Sequence, residues 1–119
     1  MRGRLTLPAQ RRLRRKSDFD AAYARGRRLG DGFFTVIALR NEWGAPRLGL
    51  AVAVRAAGGG VPRNRLRRLI RESFRLHQAA LPALDLVVGV RPPARNATPG
   101  ALRASLAALW SKAAEVRAP

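Results

Sequence analysis

No cysteine occurs in this 119-residue chain. That excludes disulfides and thiolate metal sites and fits a reducing compartment. Acids are scarce, seven Asp and Glu against 24 Lys and Arg, for a net charge of +17. Histidine occurs once, at His77, and lysine only as Lys16 and Lys112. The many alanines suggest a genome rich in G and C, so the preference for arginine over lysine carries no functional weight. Long apolar runs are missing too: the longest, Leu48 to Val54, has seven residues, too few to cross a bilayer. The start of the chain, Met1 to Lys16, is basic but lacks the continuous apolar segment of a secretory signal. Arg-rich and free of acids, it could be an organelle transit peptide, but it has no serine and the residues that follow read as structured. A cytoplasmic protein with no membrane association is expected.

What remains is positive charge, in one domain's length of chain. A compact domain with this excess repels itself unless a polyanion neutralises it. Nucleic acid is the obvious partner, because releasing its condensed counterions supplies binding free energy. The charge is most concentrated in Val61-Pro62-Arg63-Asn64-Arg65-Leu66-Arg67-Arg68-Leu69-Ile70-Arg71-Glu72-Ser73-Phe74-Arg75, which holds six arginines in the thirteen positions from Arg63 to Arg75. At about 100° per residue, Arg63, Arg67, Arg71, Arg75 and Arg68 fall within an arc of roughly 140°. Leu66, Leu69, Ile70, Ser73, Leu76 and His77 occupy most of the other side, with Phe74 at the seam. The pattern predicts a helix with one face in the core and a row of guanidiniums, planar forks suited to phosphate oxygens, on the other. A merely solvated charged face is the ordinary reading of such a helix. It is weak here, because Glu72 is the only acid in the row.

Around that helix the chain reads as a basic mobile arm over 1–16 and a single RNA-binding domain over 17–116. Ser17 is a candidate cap for a short helix through Phe19, Ala22 and Tyr23, with Asp18 and Asp20 in its first turn and a stop at Gly26. Phe33 to Leu39 is a strand that puts Phe33, Thr35, Ile37 and Leu39 on one face. Turn residues Asn41 to Pro46 follow, then a second strand, Arg47 to Val54, expected to pair antiparallel with the first. Gly58 to Gly60 links into the arginine helix, where Pro62 suits the first turn. The helix ends before Pro82, and Leu84 to Val90 is a third strand closed by Arg91-Pro92-Pro93. Thr98 or Asn96 caps a last helix, Pro99 to Val116, with Leu102, Leu106, Leu109 and Trp110 inward. The order α-β-β-α-β-α predicts an α+β fold, three helices packed on a small mixed sheet.

Catalytic chemistry is hard to assemble from these residues. His77 stands alone beside an apolar helix face, where a packed role is commoner than a catalytic one. Asp18 and Asp20 suit a helix dipole better than a two-metal site. The Gly58–Gly60 triplet precedes a basic helix, but Walker spacing and its Lys-Ser or Lys-Thr are absent. No catalytic residue, protein metal site or small-molecule cofactor is expected.

Taken with its context, the arginine segment resembles the "RNR" signature and following helix of the bacterial ribonuclease P protein subunit family. Asp18-Phe19 with Tyr23 and Gly26 resembles that family's first helix, Pro46 to Val52 its central strand, and Leu81 to Val88 the strand after the signature. The likeness runs from about Leu13 to Ala113. It implies a sheet of three to four strands and a left-handed βαβ crossover, against the general rule for such connections. It also implies a role: accessory subunit of a ribonucleoprotein endoribonuclease, in which a catalytic RNA uses Mg²⁺ to remove the 5′ leader of precursor tRNA. By matching position, Arg63, Asn64, Arg65, Arg67, Arg68 and Arg71 would face the catalytic RNA. Phe19, Tyr23, Phe33 and Ile37 would line a cleft for the single-stranded leader, with Arg55 near its end. Aromatic faces stack on bases without demanding sequence, although each could equally be core, Phe33 above all. Asn64 has the further reading of holding the turn before the helix. Val54-Arg55 replaces the family's usual basic pair, the loop Ala56 to Gly60 is apolar and slightly long, and Ile37 stands where an aromatic is common. A non-enzymatic RNA-binding protein, such as a small ribosomal protein, shares the charge and fold class but need not have a base-stacking cleft. A nucleoid-type DNA binder would need a groove-reading motif, and none is recognisable.

Overall fold

The computed structural model describes residues 9–116. In chain order they form α1 (Lys16–Arg25), β1 (Arg27–Gly30), β2 (Phe34–Arg40), β3 (Arg47–Ala51), α2 (Val54–Ala57), α3 (Gly60–His77), β4 (Leu84–Val90) and α4 (Pro99–Ala113). Short 3-10 turns lie at Ala9–Arg11, Gln78–Ala80 and Pro92–Asn96. The fold is α+β as expected, with β1 and the one-turn α2 added to the predicted order. β1 reads Arg-Arg-Leu-Gly and is mostly exposed, so no alternation marks it in the sequence.

Strand pairing departs from the expected hairpin. The sheet order is β1-β2-β4-β3, with β2 antiparallel to β4 and β3 parallel to β4. β3 therefore does not pair with β2; β4 lies between them. The physical reason is composition: Leu84–Val90 is apolar almost throughout and buried along nearly its whole length, so it takes the position covered on both faces. Parallel pairing of β3 with β4 in turn requires a crossover, which α2 and α3 provide. The Asn41–Pro46 segment spans the end of β4 instead of closing a hairpin, and Asn41 N–H donates to Ala83 O at 2.9 Å.

One sheet face carries the main core. Phe34, Val36 and Ala38 of β2, Leu84, Leu86 and Val88 of β4, and Leu48 of β3 pack against Leu66, Leu69, Ile70 and Phe74 of α3 and Leu102, Leu106, Leu109 and Trp110 of α4. Phe74 and Trp110 meet edge to face at 5.9 Å. The buried Trp110 Nε1–H donates to Ser73 Oγ at 2.9 Å, so burial leaves this donor satisfied. Of the two candidate caps, Thr98 and Asn96, Thr98 caps α4, its hydroxyl accepting from Ala101 N–H at 3.1 Å, and Pro99 opens the first turn. Two assignments on α3 change. Phe74 is fully buried rather than at the seam, and Leu76 is 65 % exposed. The buried arc is rotated toward Phe74, and so toward the arginine row.

The opposite face carries α1 over a smaller cluster of Leu13, Ala22, Ile37 and Val87. The α1 start also differs from expectation: Arg15 precedes it, Ser17 lies inside the first turn, and no side chain caps it. Its end is at Gly26 as predicted. A Cβ there would stand 2.5 Å from Ala22 O and from Ile37 Cγ2, so glycine lets the helix end lie against β2. Of the segment 1–16 expected to be a mobile arm, residues 1–8 lie outside the described residues. From Ala9 on the chain runs along the free edge of β3, where Leu13 is buried and its N–H donates to Leu48 O at 2.8 Å. Covering an edge strand in this way also removes a site for unwanted pairing.

Candidate nucleic-acid interface

Strand register divides the α1 face of the sheet into three rows. The first is Arg47–Asp85–Leu39, the second Gly49–Val87–Ile37, and the third Ala51–Gly89–Thr35. In the first row Arg47 and Asp85 are both buried and form a bidentate pair, Nε to Oδ1 at 2.9 Å and Nη2 to Oδ2 at 2.8 Å. Asn41 Nδ2 donates to the same Oδ1 at 2.8 Å, and Asp18 of α1 reaches Arg47 at 3.5 Å. The hydrogen bonds that Arg47 donates to Asp85 and the nearby charges of Asp85 and Asp18 outweigh burial and raise the Arg47 pKa. This network pins α1 to the sheet. Asp18 is thus an ion-pair partner as well as a first-turn acid.

α1 lies on the second row. Gly49 is needed there, because a Cβ would come within 2.9 Å of the Phe19 ring. The third row holds only small side chains, and Thr35 and Ala51 are half-buried. A shallow floor therefore lies beside α1. Around the β3 edge lies a cleft of about 200 Å³, lined by Phe19 of α1, by Arg12, Leu13 and Arg14, by Leu48 and Leu50 on the α3 face of β3, and by Arg67 and Arg71 of α3.

The arginines of α3 do not point straight to solvent. Because its buried arc is rotated, Arg63, Arg67, Arg71 and Arg75 are half-buried along the flank of the helix. Arg63 Nε donates to Val52 O at 2.8 Å, which ties α3 to the end of β3. The Nε atoms of Arg67 and Arg75 are buried without an acceptor among the described residues. Burial, then the charges of Arg67 and Arg12, hold the Arg71 pKa below its usual value. Three guanidiniums that repel one another beside an open cleft are poised to gain from an anion. Arg65 and Arg68 are exposed on another side, around a second cleft of about 270 Å³ with Arg103 of α4. Asn64 is exposed near the helix start, and among the described residues its side chain makes no hydrogen bond to a neighbouring turn. The six predicted RNA-facing residues thus form two surfaces on one helix.

The predicted cleft residues separate as well. Phe19 is half-buried at the cleft, and Tyr23, four residues further along α1, is 44 % exposed. Arg55 is exposed on α2, just past the third row. Phe33 is half-buried against the main core. Ile37 is buried beneath α1, and the position on its face that reaches solvent is Thr35. Arg12, Arg14, Thr35, Ala51 and Gly89 were not singled out from the sequence. Alternation does place Thr35 on the Ile37 face, but which of the two α1 covers depends on docking. His77 Nδ1 lies at hydrogen-bond distance, 2.8 Å, from Ser73 O one turn back in its own helix. Among the described residues no group of three or more His, Asp or Glu is placed to hold a metal ion, and no helix is long and apolar enough to cross a membrane.

The family described as Ribonuclease P matches residues 7–114. The ribonuclease P protein component of Yersinia pestis (strain Pestoides F) is 39 % identical over 109 residues, covering 92 % of each chain. That of Halorhodospira halophila is 41 % identical over 107 residues, covering 89 % of this chain and 88 % of the other. Among solved structures, the RNase P protein of Staphylococcus aureus superposes with a TM-score of 0.81 at 33 % identity, covering 89 % of this chain and 96 % of that one. The RNase P protein of Thermotoga maritima gives 0.77 at 29 %, covering 85 % and 96 %.

Proposed function

The chain belongs to the ribonuclease P protein family, and from that premise we propose how its surfaces divide the work. It is the protein subunit of an endoribonuclease complex that processes the 5′ ends of tRNA, with an RNA subunit and tRNA as its partners. The comparisons give no support to a small ribosomal protein.

The finer proposal starts from charge. Arg63, Asn64, Arg65, Arg67, Arg68 and Arg71 bind RNA, with Arg65 and Arg68 toward the catalytic RNA and Arg67 and Arg71 at its junction with the leader. The cleft beside α1 receives the single-stranded leader. Phe19 and Tyr23 offer stacking faces, Thr35, Ala51 and Gly89 form a floor flat enough for bases, and Arg55 holds a phosphate at the far end. Ile37 supports this floor from beneath α1, and Phe33 steadies its rim. Hydrolysis belongs to the RNA and its Mg²⁺, while the protein contributes cations that offset phosphate repulsion and lower the Mg²⁺ requirement. Cytoplasmic location is part of the same proposal.

The observation that carries this reading is the single cleft that joins the Phe19 wall to Arg12, Arg14, Arg67 and Arg71. Aromatic faces beside a cationic track are what sequence-tolerant single-strand binding requires. The test is reconstitution with a ribonuclease P RNA and assay of precursor tRNA cleavage across Mg²⁺ concentrations. The protein should lower the Mg²⁺ needed, and RNA-free protein should cleave nothing. Tyr23→Ala, at an exposed position, should weaken precursor tRNA binding by about fivefold or more, from the ~1–3 kcal/mol of one stacked base, and leave mature tRNA unchanged. Equal loss for both RNAs refutes the leader assignment, and hydrolysis by the protein alone refutes the accessory role.

A further inference from the structure

Trp43 is one of two tryptophans in the chain and is 69 % exposed, in a protein whose other tryptophan is buried. Its position is not loose. Asn41 Oδ1 accepts from the Trp43 N–H at 2.8 Å, Asn41 Nδ2 donates to Ala45 O at 3.1 Å, and Asn41 is itself anchored on the buried Asp85. One face of the indole lies over the Arg47 guanidinium, 4.8 Å from the ring centroid. Most of the rest of the ring is open to solvent. Holding a large aromatic surface rigid and wet costs hydration free energy, and nothing in the leader cleft accounts for it.

The ring borders a third cavity of about 690 Å³, larger than the leader cleft and lined in part by the segment Gln10 to Arg15. Arg11, Arg12, Arg14 and Arg15 line it together with Arg47. Its one acid is Asp18, already engaged with Arg47 at 3.5 Å. Arg11 donates to Gln78 Oε1 at 2.9 Å. Among the described residues Arg11, Arg12, Arg14 and Arg15 have no carboxylate within ion-pair distance. Arg12 and Arg14 border both cavities, so a strand leaving one meets the other.

We propose that this cavity is a second nucleotide site for single-stranded RNA, distinct from the cleft beside Phe19: a base stacks on the open face of Trp43, and its flanking phosphates pair with Arg11, Arg14 and Arg15. Arg47 behind the indole serves as a fixed cationic backing, since Asp85 and Asp18 hold its fork away from the ligand. Stacking explains the exposed ring, and phosphate pairing explains why Arg11, Arg14 and Arg15 lack carboxylate partners among the described residues. A protein partner is the competing occupant, but an acid-poor cavity with one aromatic suits a polyanion with flat bases better. The inference rests on the reading that the chain binds RNA.

The test uses the full chain and a single-stranded oligoadenylate of about eight nucleotides, a length within the usual range for such sites. Binding is followed by anisotropy of a labelled oligonucleotide and, separately, by tryptophan emission. The buried Trp110 provides a constant background, so a change reports Trp43. Wild type should lose Trp43 emission, and its accessibility to acrylamide, on saturation. Trp43→Ala should bind about tenfold more weakly, whereas Trp43→Phe keeps a stacking face and should stay within about threefold of wild type. Arg14→Ala with Arg15→Ala should lower the salt slope of binding without removing the emission change of the residual complex. Oligonucleotide bound with Trp43 emission unchanged, or bound equally by Trp43→Ala, overturns the proposal and leaves the RNA-binding reading intact. A drop in melting temperature for Trp43→Ala without loss of affinity shows a lid over Arg47 only, and also overturns it. If neither this oligonucleotide nor precursor tRNA binds wild type, the RNA-binding reading fails and takes this site with it.

Discussion

Replacing Arg67 and Arg71 together by alanine tests the charge argument most directly. Both guanidiniums line the wall opposite Phe19, and both are half-buried rather than free in solvent. If each neutralises one phosphate, removing both should reduce the slope of log K against log salt by about 1.4 to 1.8, using about 0.7 per phosphate for single strands and 0.9 for duplex. Between about 50 mM and about 200 mM salt that amounts to roughly a tenfold shrinkage of the defect. The variant should therefore look severely impaired at low salt and much less so at high salt. Filter binding or anisotropy with precursor tRNA at four or five salt concentrations measures it. Stability should move the other way. The Arg71 pKa is lowered by burial and by the charges of Arg67 and Arg12, so the folded state disfavours its charged form. A cation whose folded-state pKa lies below its unfolded value destabilises the fold wherever it is charged, including neutral pH. Removing both should leave the melting temperature equal or raised, most visibly at low salt. A salt slope identical to wild type refutes the phosphate assignment, and a large fall in melting temperature refutes the claim that the Arg71 charge is held against the fold's own interest.

Two further outcomes follow from buried and capped acids. Asp85→Ala leaves the Arg47 guanidinium buried with only Asp18 at 3.5 Å, which should cost about 3–5 kcal/mol and lower the melting temperature by on the order of 10 °C or more. Arg47→Met combined with Asp85→Leu should recover much of that loss, and a double variant no better than Asp85→Ala would contradict the argument. At Asp31, partial burial pushes the carboxyl up, but the Ser105 hydroxyl, the Phe34 and Phe33 N–H groups and Lys112 prevail and hold it below its usual value. A depressed acid stabilises the fold above its unfolded pKa, and that contribution is lost as pH falls through the folded pKa. Ser105→Ala should thus lower the thermal midpoint at about pH 5 more than at about pH 2.5, and an equal loss at both would show that the Asp31 charge is not involved.

The sequence alone determined what depends on neighbours along the chain. The 3.6-residue spacing of Leu66, Ile70 and Ser73 made an amphipathic α3, Thr98-Pro99 opened α4, Gly26 ended α1, and unbroken apolar residues made Leu84–Val90 a strand. These signals are local, so they survive without a partner. The sheet order was decided in three dimensions, because β3 and β2 are joined by a turn that suits a hairpin, yet the apolar β4 competes for the central place and wins. β1 escaped notice because Arg-Arg-Leu-Gly carries no burial pattern and is a strand only by pairing with β2. The site shows the same division. The arginine row was legible as a row, but its half-burial followed from the rotation of α3 about Phe74. Phe19, Ile37 and Thr35 could be assigned to helix and sheet faces, while only the docking of α1 on the second row covered Ile37 and left Thr35 beside the groove. Arg47 and Asp85 are 38 positions apart, and Trp43 is a turn residue in the sequence. Charge content and periodicity are properties of the chain, but which charges share a cleft is a property of strand register and helix docking.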